Sequence, residues 1–277
     1  MKMNLKKPLL WIFVLILLAE AMYSVPVLIT SKRSAKQMAN VAHAPKAAEI
    51  RGVTLYDSGM SAIVDEQLLT LLSDMHSRQE NAVRLPVDFA GHMVGSALDG
   101  GWLGQIATLM EMVYQSNYHL ILTNASGYSY TAAQYADLWR QIDAAYGHRP
   151  ARELWYELHV PVNADIDEWE QMIKKLAFDI WSNNPQREIV TMIDGEADEA
   201  LSEKIVSLVL EIGAHLGIRV DQPMEIEELT ALNQRFVASG DSIVLIGAES
   251  IGYADEMNGW IMDVAEKENM SYLIYGN

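Results

Sequence analysis

The densest run of side chains able to do chemistry is Asp194-Gly195-Glu196-Ala197-Asp198-Glu199, four carboxylates in six residues. It follows an apolar, β-prone run over residues 188–193 and precedes a helical pattern. Carboxylate oxygens at Asp194, Glu196 and Asp198 suit a hard divalent cation, Mg²⁺ or Ca²⁺, and such a cation could polarise a substrate or offset its negative charge. The same residues would serve as an acidic cap on the helix that follows.

Two other polar turns stand in equivalent positions. Asp57-Ser58-Gly59 follows a β-prone run over residues 52–56, and Glu249-Ser250 follows the apolar run over residues 242–246. In a parallel sheet all three turns leave from one edge, the edge at which open α/β sheets take ligands. Asp57 and Glu249 are therefore candidate catalytic carboxylates that position water or complete a metal shell. His92, in the glycine-rich stretch around Gly91 and Gly95, is the candidate base among seven scattered histidines. With Ser58 or Ser126 and Asp88 it could also form a nucleophilic triad, since triad members need meet only in space.

The specific motifs of several enzyme classes are missing. There is no Gly-x-Ser-x-Gly elbow and no His-Glu-x-x-His pair. Gly247-Ala248-Glu249-Ser250-Ile251-Gly252 lacks the Lys-Ser/Thr ending of a phosphate loop. Cysteine is absent, which removes disulfides, thiol nucleophiles and thiolate metal sites.

The elements that must position these groups alternate in type. Strand patterns over residues 52–56, 83–89, 118–123, 154–162, 188–193, 242–246 and 271–275 are separated by amphipathic helical stripes. Pro86 marks residues 83–89 as an edge strand or an extended loop. Thr131 with Gln134, and Asp165 with Glu168, have the spacing of capping boxes. A long helix over residues 198–216 is expected to stop at Gly217. The fold expected is α/β, a mainly parallel or mixed sheet flanked by helices, in one domain over residues 50–277.

Ahead of it the sequence reads differently. Residues 8–29 form an apolar run interrupted by Glu20 and Pro26, with lysines before and basic residues after. Its length fits one N-terminal membrane helix, or a signal segment cleaved near Ala21, giving a membrane anchor or signal over residues 1–30. A Ser/Ala/Lys-rich stalk covers residues 31–49.

Charge is divided unevenly between these parts. Of 20 basic residues six stand at or before Lys36, and of 37 acidic ones only Glu20 does, leaving 14 against 36 and a formal charge of −22 for the rest. Such a body repels a phosphate backbone, so no nucleic-acid partner is expected.

From these features the expected function is a membrane-anchored, extracytoplasmic α/β domain that binds or scaffolds an envelope protein partner, held through residues 9–29. The alternatives are a metal-assisted hydrolase of a phosphoester or glycan-related substrate, and a small-ligand binding domain. Secretion after cleavage is the alternative localisation, and the oligomeric state is not legible.

Overall fold

In the computed structural model the chain divides into two units, residues 1–44 and residues 45–277. The structure describes residues 50–55, 66–125, 130–151, 153–159, 165–193, 199–220, 222–239, 243–247 and 254–275, all within the second unit. Residues 8–29 and the stalk lie outside the described residues.

Eight parallel strands close into a barrel: β1 (Arg51–Thr54), β2 (Ala82–Val87), β3 (His119–Asn124), β4 (Leu154–His159), β5 (Ile189–Ile193), β6 (His215–Val220), β7 (Ile243–Gly247) and β8 (Ser271–Tyr275). Each pairs with its neighbours in chain order, and β8 closes on β1 with Arg51 opposite Tyr272 and Thr54 opposite Tyr275. Seven described helices alternate with them: α1 (Glu66–Ser77), α2 (Gly100–Gln115), α3 (Ala132–Tyr146), α4 (Ile166–Asn183), α5 (Glu199–Ile212), α6 (Ile226–Ser239) and α7 (Ala254–Glu268). The mainly parallel or mixed sheet flanked by helices expected from the sequence is thus corrected to a (β/α)8 barrel. Closure depends on which strand pairs with which, and strand order leaves no periodicity in the sequence.

Two local expectations change for physical reasons. Pro86 does not mark an edge, because β2 pairs with β1 on one side and β3 on the other. The ladder with β1 runs only to Thr54 and Arg84, with Leu55 N–H donating to the Arg84 carbonyl, so Pro86 lies past its end and its missing N–H breaks nothing there. The helix expected over residues 198–216 ends at Ile212, where Gly213 takes φ +71°, the left-handed conformation of a helix stop. Gly217 instead lies inside β6, where a Cβ would stand 3.0 Å from both Ile246 Cδ1 and Val190 Cγ1. The sequence reading missed β6 because Leu216 extends the apolar stripe of the preceding helix.

Alternation along the strands builds two apolar layers. Outward residues such as Val83, Leu85, Val87, Leu120, Leu122 and Leu158 pack under the helices with Trp139, Tyr135, Ile106 and Ile173. A separate inner cluster fills the barrel with Ile50, Ala82, Ile121, Trp155, Val190, Met192, Val244, Ile246 and Leu273. Each fully buried large side chain contributes about 1.5–3 kcal/mol. The N-terminal opening is plugged by Trp155, whose indole lies 5.1 Å from the His215 ring at 14°, with His215 Nε2 2.9 Å from Glu188 Oε2.

Buried polar groups fix the helices to this frame. Arg187, just before β5, is fully buried and its guanidinium donates to the carbonyls of Tyr146, Gly147 and Arg149, at the end of α3 and in the turn after it, and of Leu154 at the start of β4. Burial pulls its pKa down, and the guanidinium also sits 4.9 Å from the Tyr156 ring centre. The Thr131–Gln134 box forms as expected, and the Asp165 carboxylate accepts from the Asp167 and Glu168 N–H groups at the start of α4.

The membrane-anchored reading is corrected here as well. The folded unit is a closed barrel, and among the described residues no helix is long and apolar enough to cross a membrane.

Candidate functional site

In a barrel of parallel strands every strand delivers its next turn to the same rim. That C-terminal rim is where such barrels carry their chemistry. The side chains below it decide what it can do.

Beneath the rim the barrel interior is charged. Arg84, third residue of β2, and Glu157, fourth of β4, point inward and form a bidentate pair: Arg84 Nε donates to Glu157 Oε2 at 2.7 Å and Nη2 to Oε1 at 2.6 Å. The Glu157 side chain has no solvent exposure and that of Arg84 has 11 %. Arg84 Nη2 also lies 3.9 Å from Met192 Sδ. Thr54 and Thr123, in register with Arg84 and Glu157, are buried beside them, and Thr54 Oγ1 has no hydrogen-bond partner.

Sequence reasoning passed over this pair. Its signal was present: an arginine inside the apolar run Ala82-Val83-Arg84-Leu85-Pro86-Val87 and a glutamate inside Leu154-Trp155-Tyr156-Glu157-Leu158-His159. A full charge in the middle of a buried strand has to meet a countercharge. Which two strands supply the partners is set by barrel topology.

The turn after β2 is the best described part of the rim. Asp88 follows the strand directly, Ala90–His92 form a 3₁₀ turn, and Met93–Val94 pair with Ala97–Leu98 as a hairpin before α2. Gln141 of α3 pins that hairpin, its Oε1 accepting from Leu98 N–H and its Nε2 donating to the Ser96 carbonyl. Phe89 turns outward, edge-on to Trp102 and Trp139. The His92 ring stacks on Trp102 at 4.8 Å and 15°. His92 is therefore at the rim, as expected of a site residue, with one face of its ring taken by the indole.

Other carboxylates near the rim are committed to the fold. Asp99 caps α2 by accepting from Trp102 N–H at 2.7 Å, and Asp165 caps α4. On the wall behind them, the His159 N–H donates to the buried Tyr135 hydroxyl at 2.8 Å, and burial pushes that phenol far up.

The candidates Asp57, Asp194, Glu196, Asp198 and Glu249 lie outside the described residues. The strands that precede them, β1, β5 and β7, end on one rim, as the sequence argument required. Among the described residues no group of three or more His, Cys, Asp or Glu is placed to hold a metal ion. A cleft of about 370 Å³ between α3 and α4, lined by Arg140, Asp143, Leu176 and Asp179, opens on the outer wall. Asp143 there is spent on the Tyr156 hydroxyl and the Asn183 amide.

No family model matches the chain, and no curated protein matches it. Solved structures do. A glycoside hydrolase aligns with a TM-score of 0.61 at 14 % identity over 82 % of this chain and 88 % of its own. A GH10 endoxylanase from a sugarcane soil metagenome aligns at 0.59 and 12 %, over 84 % and 86 %. A GH5-4 broad-specificity endoglucanase from Clostridum cellulovorans aligns at 0.61 and 14 %, over 87 % and 86 %. At such identities the likeness is one of fold: the expected envelope-scaffold domain is corrected to a (β/α)8 barrel like those of glycoside hydrolases.

Proposed function

We propose that this barrel acts on glycans at its C-terminal rim as a hydrolase of glycosidic bonds. The observation that carries the reading is the Arg84–Glu157 pair. A buried ion pair is a poor way to stabilise a core, because removing two charges from water costs about as much as their attraction returns. An apolar interior that admits one such pair directly beneath the rim is organised to present polar groups there. The structural neighbours support the same reading, since an endoxylanase and an endoglucanase are among them.

Glycosidic hydrolysis needs two carboxyl groups, one giving a proton to the leaving oxygen and one serving as base or nucleophile on the other side of the sugar. Glu249, which follows β7, is the proposed base or nucleophile. Asp57 and Asp194, which follow β1 and β5, are proposed to line the same groove. Glu157 is assigned a positioning role, holding Arg84 so that the rest of the guanidinium faces the mouth.

A second reading, glycan binding without cleavage, is favoured by the sequence after β4. Val160-Pro161-Val162-Asn163-Ala164 carries no carboxylate, and the next acid, Asp165, is committed to α4. One experiment separates the two. The full chain is incubated with xylan and mixed-linkage β-glucan, scored for new reducing ends and for retardation in gels containing the polysaccharide. Cleavage that falls about 10²–10⁴-fold in Glu249→Gln supports the hydrolase. Retardation without cleavage supports binding alone. Neither effect would sink both readings.

A further inference from the structure

Resting on the hydrolase reading above, we propose that Asp88 is the catalytic acid, the group that protonates the departing glycosidic oxygen. In the sequence Asp88 stands out only as a possible acid partner of His92. Four observations single it out.

Asp88 is the first residue beyond β2, so its backbone stands on the C-terminal rim. Its register is inward. Side chains alternate along a strand, Arg84 points into the barrel, and Val87 and Phe89 pack outward under the helices, so Asp88 falls on the same side as Arg84. Its carboxyl is not spent on the fold: Oδ1 is buried and has no hydrogen-bond partner. Finally, the turn fits closely around the other oxygen, since a Cβ on Gly91 would stand 3.0 Å from Asp88 Oδ2.

Among the described residues the alternatives are occupied. Glu157 is bound to Arg84, Asp99 to the start of α2 and Asp165 to the start of α4. The sequence after β4 supplies no carboxylate at all before Asp165. Several buried polar atoms are left unbonded among the described residues, and Asp88 Oδ1 is the only carboxylate oxygen of them; such an atom calls for a partner that arrives later, and a glycosidic oxygen is such a partner for a carboxyl O–H.

The step balances without any further reagent. The Asp88 carboxyl transfers its proton to the glycosidic oxygen as the C1–O bond breaks. Water adds its oxygen to C1 and gives a proton to the second carboxylate, proposed as Glu249. The products are a free reducing end and a sugar hydroxyl, and solvent exchanges the proton back from Glu249 to Asp88.

The test compares leaving groups. Dinitrophenolate departs without a proton, whereas a sugar alkoxide does not. Asp88→Asn is therefore expected to lose about 10²–10⁴-fold in kcat/KM on β-glucan or xylan while keeping activity on the matching dinitrophenyl glycoside within several-fold. Asp88→Glu should recover part of the polysaccharide activity. Equal losses on both substrates with an unchanged thermal midpoint would overturn the assignment, as would near-normal polysaccharide cleavage by Asp88→Asn. If Asp88→Asn fails to fold, Asp88→Glu carries the test, and a loss confined to the polysaccharide supports the acid role. A wild-type chain that cleaves neither substrate would instead remove the hydrolase reading itself.

Discussion

Arg84 and Glu157 lie 73 positions apart in the chain and meet through two hydrogen bonds of 2.6 and 2.7 Å inside the barrel. Neither charge could remain buried alone. Single replacements should therefore be far worse than the double one. Arg84→Met or Glu157→Gln is expected to cost about 3–5 kcal/mol in urea unfolding, because each strands the other polar group. Arg84→Met with Glu157→Leu should recover most of that loss while leaving glycan cleavage abolished. Additive costs in the double variant would show that the pair is not coupled as the geometry requires.

Arg187 offers a contrasting case, a buried cation whose partners are carbonyl oxygens with no carboxylate in hydrogen-bond reach. Its task is to finish α3 and tie it to the strand before Tyr156. Arg187→Lys cannot reproduce the fan of donors, so it is expected to lose about 2–4 kcal/mol in denaturant unfolding, close to the loss in Arg187→Met. Retention of full stability by the lysine variant would mean that charge alone suffices.

Much of the architecture was legible before the structure. The strands at residues 118–123, 188–193 and 271–275 fall within a residue or two of β3, β5 and β8, since apolar runs bounded by turn residues are local signals. Thr131 and Gln134 announced their cap for the same reason. Closure was not legible: it depends on β8 reaching β1, a pairing of residues 221 positions apart such as Arg51 with Tyr272. The Arg84–Glu157 pair was hidden by the same distance. Asp88 was passed over because an acid after a strand reads as an ordinary turn until its neighbours are seen to be committed elsewhere.

The acidic residues Asp194, Glu196 and Asp198 precede α5 in the sequence, and its first residue is Glu199. Carboxylates in that position interact with the partial positive charge of the helix start, so Asp194→Asn and Asp198→Asn are each expected to cost about 0.3–1 kcal/mol, a cost that shrinks with salt. Calorimetry with Mg²⁺ and with Ca²⁺ decides the competing role. Saturable heat that vanishes in both Asp194→Asn and Glu196→Gln would assign the turn to a cation and would make the hydrolysis metal-assisted.

The buried tyrosines predict how the fold fails in alkali. Burial raises the pKa of both Tyr135 and Tyr156 well above the ordinary value of 10, Tyr135 with its hydroxyl held by the His159 N–H and Tyr156 with its hydroxyl donating to Asp143. Below pH 10 the folded and unfolded chains both keep these protons, and the stabilisation is fully present. Above it the unfolded chain releases them while the folded chain does not, so the folded state binds more protons and stability falls as pH rises. Ultraviolet titration of tyrosinate should therefore show an early group of exposed phenols, then a steep late step that coincides with loss of near-ultraviolet circular dichroism. Tyr135→Phe and Tyr156→Phe should each shrink the late step and leave the early one intact. A smooth titration of every phenol near pH 10 with the fold retained would show that these two side chains reach solvent, contrary to their place between the barrel and its helices.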